Sequence, residues 1–78
     1  MKKVFLTGGT GSVGSAFIHQ YYDQYQFYSF SRNEKMQVAL KREYPLIEII
    51  IGAVEDKYSL INAVSSIKPD ICIHAAAL

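Results

Sequence analysis

The residues best suited to chemistry lie near the N-terminus, in Thr7-Gly8-Gly9-Thr10-Gly11-Ser12-Val13-Gly14. Two spellings overlap there. Gly9, Gly11 and Gly14 read G-x-G-x-x-G, while Gly8, Gly11 and Gly14 read G-x-x-G-x-x-G. Either triplet alone is weak, because glycines cluster in many loops. Such a motif gains meaning only when it follows a strand and opens a helix. Lys3-Val4-Phe5-Leu6 supplies the strand, and Ser12 through Tyr22 supplies the helical pattern. In that setting the glycines let the backbone turn tightly and approach a pyrophosphate, whose charge meets N–H groups at the helix start. The chemistry implied is the cradling of a dinucleotide.

A dinucleotide site of this kind reads the adenosine ribose at the tip of the second strand. An acid there accepts from a free 2′-hydroxyl, and a basic group holds a 2′-phosphate. This chain has Phe30-Ser31-Arg32-Asn33-Glu34-Lys35 at that point, with no acid at the strand tip. Arg32 can hold a phosphate through its planar fork, Ser31 adds a hydroxyl and Lys35 adds charge. Glu34 points the other way, but it falls in the first turn of the next helix, where a carboxylate suits the dipole. The alternative for Arg32 is a solvated surface charge, and the reading adopted is a preference for NADP. The third strand ends Gly52-Ala53-Val54-Glu55-Asp56, where a loop would pass the adenine ring. Asp56 reads as an N-cap. The fourth strand ends His74-Ala75-Ala76-Ala77-Leu78, whose small residues would let ribose and pyrophosphate pass close, or simply pack tightly.

The elements that must position these residues alternate regularly. Strands are expected at about 3–7, 26–30, 47–51 and 70–74, with helices at about 12–22, 34–43 and 57–66. Val13, Phe17 and Tyr21, flanked by Ala16 and Ile18, form the expected inward stripe of the first helix, with His19, Gln20 and Asp23 in solvent. Met36, Leu40 and Ala39 are expected inward from the second helix, which Pro45 ends. Leu60, Ile61 and Val64 play that part in the third, and Pro69 ends that segment. Strands joined through helical connections imply parallel pairing with right-handed crossovers. The fold class is therefore α/β: a partial Rossmann fold of four parallel strands, ordered 3-2-1-4, with three crossover helices. A small α+β domain with antiparallel pairing fits less well, because the connections are helical and not hairpin turns.

Composition narrows the function classes. The 78 residues are 50% hydrophobic, which suits a globular chain and not a disordered one. A net charge of +1, from eight basic and seven acidic residues, leaves no footprint for nucleic acid or anionic membrane. Cys72 has no partner for an internal disulfide, in keeping with a reducing, cytoplasmic setting. The apolar run after Lys2-Lys3 is too short for a signal peptide, and no stretch is long enough to span a membrane. Two histidines and one cysteine, far apart, give no metal cluster. His74 reads as a packed, hydrogen-bonded strand residue, and Ser12 has no evident base to make it a nucleophile.

Taken together, the glycine turn, Ser31-Arg32-Asn33-Glu34-Lys35, Gly52-Ala53-Val54-Glu55-Asp56 and the triple alanine resemble the N-terminal part of an extended short-chain dehydrogenase/reductase. More narrowly they resemble the polysaccharide-biosynthesis group of UDP-N-acetylglucosamine 4,6-dehydratases that invert C5. The resemblance spans the whole chain, while the chain would form about the first quarter of such an enzyme. By resemblance, Gly8, Thr10, Gly11, Ser12, Val13 and Gly14 form the pyrophosphate turn. Ser31, Arg32 and Lys35 would hold the 2′-phosphate, with Asn33 and Glu34 nearby. Ala53 and Val54 would flank the adenine, and Ala75 would approach the ribose. The family usually has aspartate where Ala53 stands, so a hydrogen bond to the adenine amino group would be missing, a loss of ~1 kcal/mol or more if the bond was charged. It also usually has phenylalanine where Val13 stands.

The whole enzyme, by the same resemblance, would oxidise the sugar of a nucleotide-sugar at C4 using tightly held NADP⁺, eliminate water across C5–C6 and return the hydride to C6. A homo-oligomer is expected of the full-length protein. The superfamily's Tyr-x-x-x-Lys pair, in which lysine lowers the tyrosine pKa, is not in this chain. Four residues after Tyr21, Tyr22, Tyr25, Tyr28, Tyr44 and Tyr58 stand Tyr25, Gln26, Ser29, Arg32, Glu48 and Asn62. The expectation is a cofactor site with no catalytic residues: residues 1–78 as the N-terminal part of one NAD(P)-binding domain, inactive alone. One helix cannot cover the second face of four parallel strands, so the chain is expected to be a marginally stable fragment. A sharp, reversible thermal transition in a monomer would count against that. Two other readings stay open, an NAD(P)-dependent sugar epimerase or reductase and a non-catalytic NADP-sensing module. A Tyr-x-x-x-Lys pair further along the reading frame would sink the sensor; a natural stop codon after Leu78 would sink the enzyme.

Overall fold

The computed structural model describes residues 1–8 and 10–75. Gly9 and the terminal Ala76-Ala77-Leu78 lie outside the described residues, so the G-x-G-x-x-G spelling and the triple alanine are assessed only through Gly11, Gly14 and Ala75. In chain order the elements are β1 (Lys2–Thr7), α1 (Ser12–Tyr21), β2 (Tyr25–Ser31), α2 (Glu34–Glu43), β3 (Glu48–Ile51), α3 (Lys57–Ile67) and β4 (Ile71–His74). The strands form one parallel sheet in the order β3-β2-β1-β4, as expected for half of a doubly wound fold.

Alternation along the strands divides the side chains between two faces. Val4 and Leu6 of β1, Phe27 of β2 and Ile71 and Ile73 of β4 share the first face. Ile18, Leu40, Tyr44 and Ile47 pack there to complete the main core. Phe5 and Phe30 meet on the second face, their ring centroids 5.6 Å apart, and both are almost fully buried. The register pairs Phe5 with Cys72 and Thr7 with His74, so these side chains share that second face. Residues of α3 line a groove there together with Phe30 and Ile50. No α3 residue is fully buried, and Cys72 and His74 are exposed.

Each helix buries a stripe different from the one expected. In α1 the buried residues are Gly14 and Ile18, with Phe17, Tyr21 and Tyr22 half-buried, while Val13 is 70% exposed and Ala16 is also exposed. The real stripe runs Gly14-Phe17-Ile18-Tyr21. It begins on a glycine, which is buried yet carries no hydropathy signal. In α2 the inward residues are Gln37, Leu40 and, beyond the helix, Tyr44; Met36 and Ala39 face solvent. Gln37 is accepted in the core because all its polar atoms are used. Its Oε1 accepts from Ser29 Oγ at 2.7 Å, and its Nε2 donates to the carbonyls of Ser29 at 2.7 Å and Ile50 at 3.1 Å. In α3, Leu60 and Val64 are half-buried as expected, joined by Ala63 and Ile67, but Ile61 is 60% exposed.

The ends of the helices match their sequence signals. Asp56 caps α3 by accepting from the amides of Tyr58 and Ser59. Asn33 caps α2, accepting from Met36 N–H at 3.1 Å. Tyr44, ahead of Pro45, leaves the helical region at φ −126°, ψ 80°, as the following proline ring requires.

Candidate dinucleotide site

The C-terminal ends of β1, β2 and β3 open onto one cleft of about 310 Å³, lined by Gly8, Phe30, Ser31, Arg32, Gly52, Ala53, Val54 and Glu55. That volume lies within the range of small-molecule sites. The walls come from three separate strand tips, brought level by the parallel register. Gly52 N–H donates to the Ser31 carbonyl at 3.1 Å, which ties the second and third tips together.

Gly8 stands at φ 78°, a left-handed conformation that favours glycine, and its carbonyl accepts from Gly11 N–H at 3.0 Å. This closes the turn ahead of α1. Gly11 then serves as the N-cap with no side-chain hydrogen bond, in contrast to Asn33 and Asp56 on the other two helices. The first amides of α1, from Ser12 to Gly14, therefore lack intrahelical acceptors and point out of the helix end. Ser15 lies one step further, its amide donating to the Gly11 carbonyl at 2.9 Å and its hydroxyl to the same oxygen at 2.8 Å. A left-handed glycine, a closed turn and uncapped amides are what a phosphate group fits.

Ser31 accepts from Asn33 N–H at 3.2 Å, so its hydroxyl shapes the turn from which Arg32 projects. Arg32 Nη1 donates to Glu55 Oε1 at 3.1 Å, across the cleft mouth from the second strand tip to the third. Both side chains are largely exposed, 77% and 64%, so the pair contributes at most about 1 kcal/mol and can be exchanged for another partner. Ala53 and Val54 line the cleft beside Glu55. Ala75 lies by the glycine turn, its N–H donating to the Thr7 carbonyl at 2.9 Å.

The structure thus gathers Gly8, Ser31, Arg32, Ala53 and Val54 in a single cleft. Thr10, Gly11, Ser12, Val13 and Gly14 stand in the turn and helix start next to it, outside its lining. Asn33 is occupied as a helix cap, and Glu34 and Lys35 sit exposed on the first turn of α2, also outside the lining. His74 is hydrogen-bonded, through Nδ1 to Thr7 Oγ1, but it is exposed and not packed, because little covers its face of the sheet.

Three lining residues lack a role in the sequence reading: Phe30, Gly52 and Glu55. Phe30 forms the floor and Gly52 makes room for it. A Cβ on Gly52 would lie 2.6 Å from the Phe30 ring. A glycine directly after the third strand was the available signal. Glu55 was visible only as a neighbour of Asp56, since nothing local marks a carboxylate as the partner of an arginine 23 positions earlier.

Two groups near the helix ends titrate away from their ordinary values. Hydrogen bonds from the Ser59 hydroxyl and then its amide, helped by Tyr58 N–H, hold Asp56 below the ordinary aspartate value. Burial pushes the Tyr44 phenol up, and the Glu43 carboxylate adds to this. Among the described residues no group of three or more His, Cys, Asp or Glu could hold a metal ion. Likewise, no helix there is long and apolar enough to cross a membrane.

A parallel sheet in the order 3-2-1-4, a glycine turn opening its first helix and a cleft across the strand tips define a Rossmann-type α/β region. Comparison with known proteins narrows this. Residues 4–78 match the polysaccharide biosynthesis protein family, and the chain belongs to it.

A UDP-N-acetylglucosamine 4,6-dehydratase (inverting) from Campylobacter jejuni is 33% identical over 82 residues, covering 99% of this chain and 24% of that protein. A UDP-glucose 4-epimerase from Rickettsia bellii is 36% identical over 87 residues, with the same coverages of 99% and 24%. Among solved structures, the Bordetella bronchiseptica enzyme WbmG, crystallised with NAD and UDP, superposes with a TM-score of 0.84 at 26% identity. That match covers 99% of this chain and 25% of WbmG. The chain therefore spans about a quarter of the length of these relatives.

Proposed function

We propose that this chain is the NADP-binding portion of a nucleotide-sugar 4,6-dehydratase of polysaccharide biosynthesis, acting on a UDP-N-acetylglucosamine type of substrate. The observation that carries the reading is the single cleft uniting the glycine turn at Gly8 with Arg32 on the second strand tip. In this reading the α1 amides from Ser12 to Gly14 and the turn at Thr10 and Gly11 hold the pyrophosphate. Arg32 and Ser31 meet the 2′-phosphate, with Lys35, Asn33 and Glu34 nearby. Ala53 and Val54 flank the adenine, and Ala75 leaves room for the ribose. When bound, the nicotinamide would supply a hydride acceptor and donor for the sugar. The residues of this chain bind and orient it; proton transfer and substrate recognition fall to the rest of the whole protein.

The match to a UDP-glucose 4-epimerase favours a second reading, a sugar epimerase using the same cofactor region. Incubating the whole protein with UDP-N-acetylglucosamine and with UDP-glucose, followed by NMR of the products, separates the two. A 4-keto-6-deoxy sugar supports the dehydratase, whereas an epimer at C4 with the 6-hydroxyl kept supports the epimerase. Cofactor choice is tested by calorimetry on Arg32→Ala. NADP⁺ binding should weaken by roughly 10- to 100-fold, the range for loss of a charge-assisted hydrogen bond, with a much smaller change for NAD⁺. Equal losses for both nucleotides would make Arg32 an ordinary surface charge.

A further inference from the structure

We infer that Glu55 is a specificity-determining residue of the cleft, holding Arg32 when the adenosine ribose carries a free 2′-hydroxyl and opposing a 2′-phosphate. This rests on the dinucleotide reading above and goes beyond it, because that reading assigns Glu55 nothing. The position of Glu55 carries the argument. Its carboxylate lines the same cleft as Gly8 and Ser31, and it meets Arg32 Nη1 at 3.1 Å. Among the described residues this is the one ion pair in the chain.

A phosphate reaching Arg32 must either share the guanidinium with that carboxylate, which engages Nη1 alone, or displace it, and in both cases it lies within a few Å of Glu55. Both groups are anionic, so the arginine that recommends the site for a 2′-phosphate arrives already matched in charge. A ribose hydroxyl meets no such opposition, since a carboxylate is an acceptor for it. Two features keep Glu55 at this post. Asp56 is anchored as the cap of α3, and its own N–H donates to the Ala53 carbonyl at 3.0 Å, which closes the turn that carries Glu55. On the other side, the hydrogen bond from Gly52 N–H to the Ser31 carbonyl holds the two strand tips together. The exposure of both side chains leaves the pair mobile enough to open, so Glu55 sets a bias and not a block.

The test is calorimetric titration of NADP⁺ and NAD⁺ into the protein as its gene encodes it, wild type against Glu55→Gln. Glutamine keeps the shape and removes the charge. The ratio of NADP⁺ to NAD⁺ affinity should rise by about tenfold, the size expected when one carboxylate near a phosphate is neutralised at a solvated site. Glu55→Lys should raise the ratio further. Far-UV circular dichroism establishes that both variants keep the fold. A ratio that stays the same or falls in both folded variants, with both nucleotides still bound, overturns the role of Glu55 alone. Failure of the wild type to bind either nucleotide overturns the dinucleotide reading itself, and the inference with it.

Discussion

Gln37 shows how one residue can decide where a site ends up. It sits fully buried between β2 and β3, bonded to Ser29 and to the Ile50 carbonyl, and so fixes α2 against the two strands whose tips form the cleft. Replacing it with leucine keeps most of the volume but leaves the buried Ser29 hydroxyl without its partner and takes a side-chain donor from two strand carbonyls, at a cost of about 1–3 kcal/mol. Urea unfolding of Gln37→Leu against wild type measures this; an unchanged midpoint would mean the network contributes nothing. Hydropathy could not have found this residue, because a satisfied buried amide looks like a surface one in sequence. Arg32 was legible for the opposite reason, since its place at a strand tip is set by the period of the elements. Its partner Glu55 was not, because that pairing depends on how two loops meet.

At the scale of elements, alternation and breakers were highly readable. The end of α2 before Pro45 and the cap at Asp56 follow from local rules, which act over three or four residues and need no tertiary knowledge. Asn33, read as a neighbour of the 2′-phosphate, proves instead to be the cap of α2. Helix facing was less legible. Gly14 heads the buried stripe of α1, so a count of apolar side chains places the stripe one residue too early, on Val13. The cap on α3 has a pH signature. Asp56 titrates below its ordinary value when folded, so the unfolded chain takes up the proton first as the pH falls. Its contribution is present in full above the ordinary aspartate value near 3.8 and is lost as the pH drops through the lower folded value. Asp56→Asn keeps a capping oxygen and should flatten the acid limb of the stability profile. An acid limb identical to wild type would contradict that assignment.

The whole molecule is asymmetric about its sheet. One face carries the main core under α1 and α2, while the other has only α3, leaving Cys72 and His74 exposed. The uneven covering anticipated from the strand count is therefore present among the described residues. Cys72 should react with a thiol reagent in the native 78-residue chain at a rate close to that of the denatured chain; strong native protection would show this face to be covered in solution. Strand order and cleft position were also legible at this scale, because right-handed crossovers between parallel strands leave few alternatives. The volume and floor of the cleft were not, since they depend on Phe30 filling the space left by Gly52.

The proposed function requires the glycine turn and the strand-tip cleft to act together as one dinucleotide site. Amide chemical-shift mapping on titration with NADP⁺ puts this to the test residue by residue. Shifts concentrated at Gly8, Gly11 to Gly14, Ser31, Arg32 and Gly52 to Glu55 are the predicted result. Shifts confined to α3 and the exposed face of β4, or no shifts at saturating nucleotide, would contradict it.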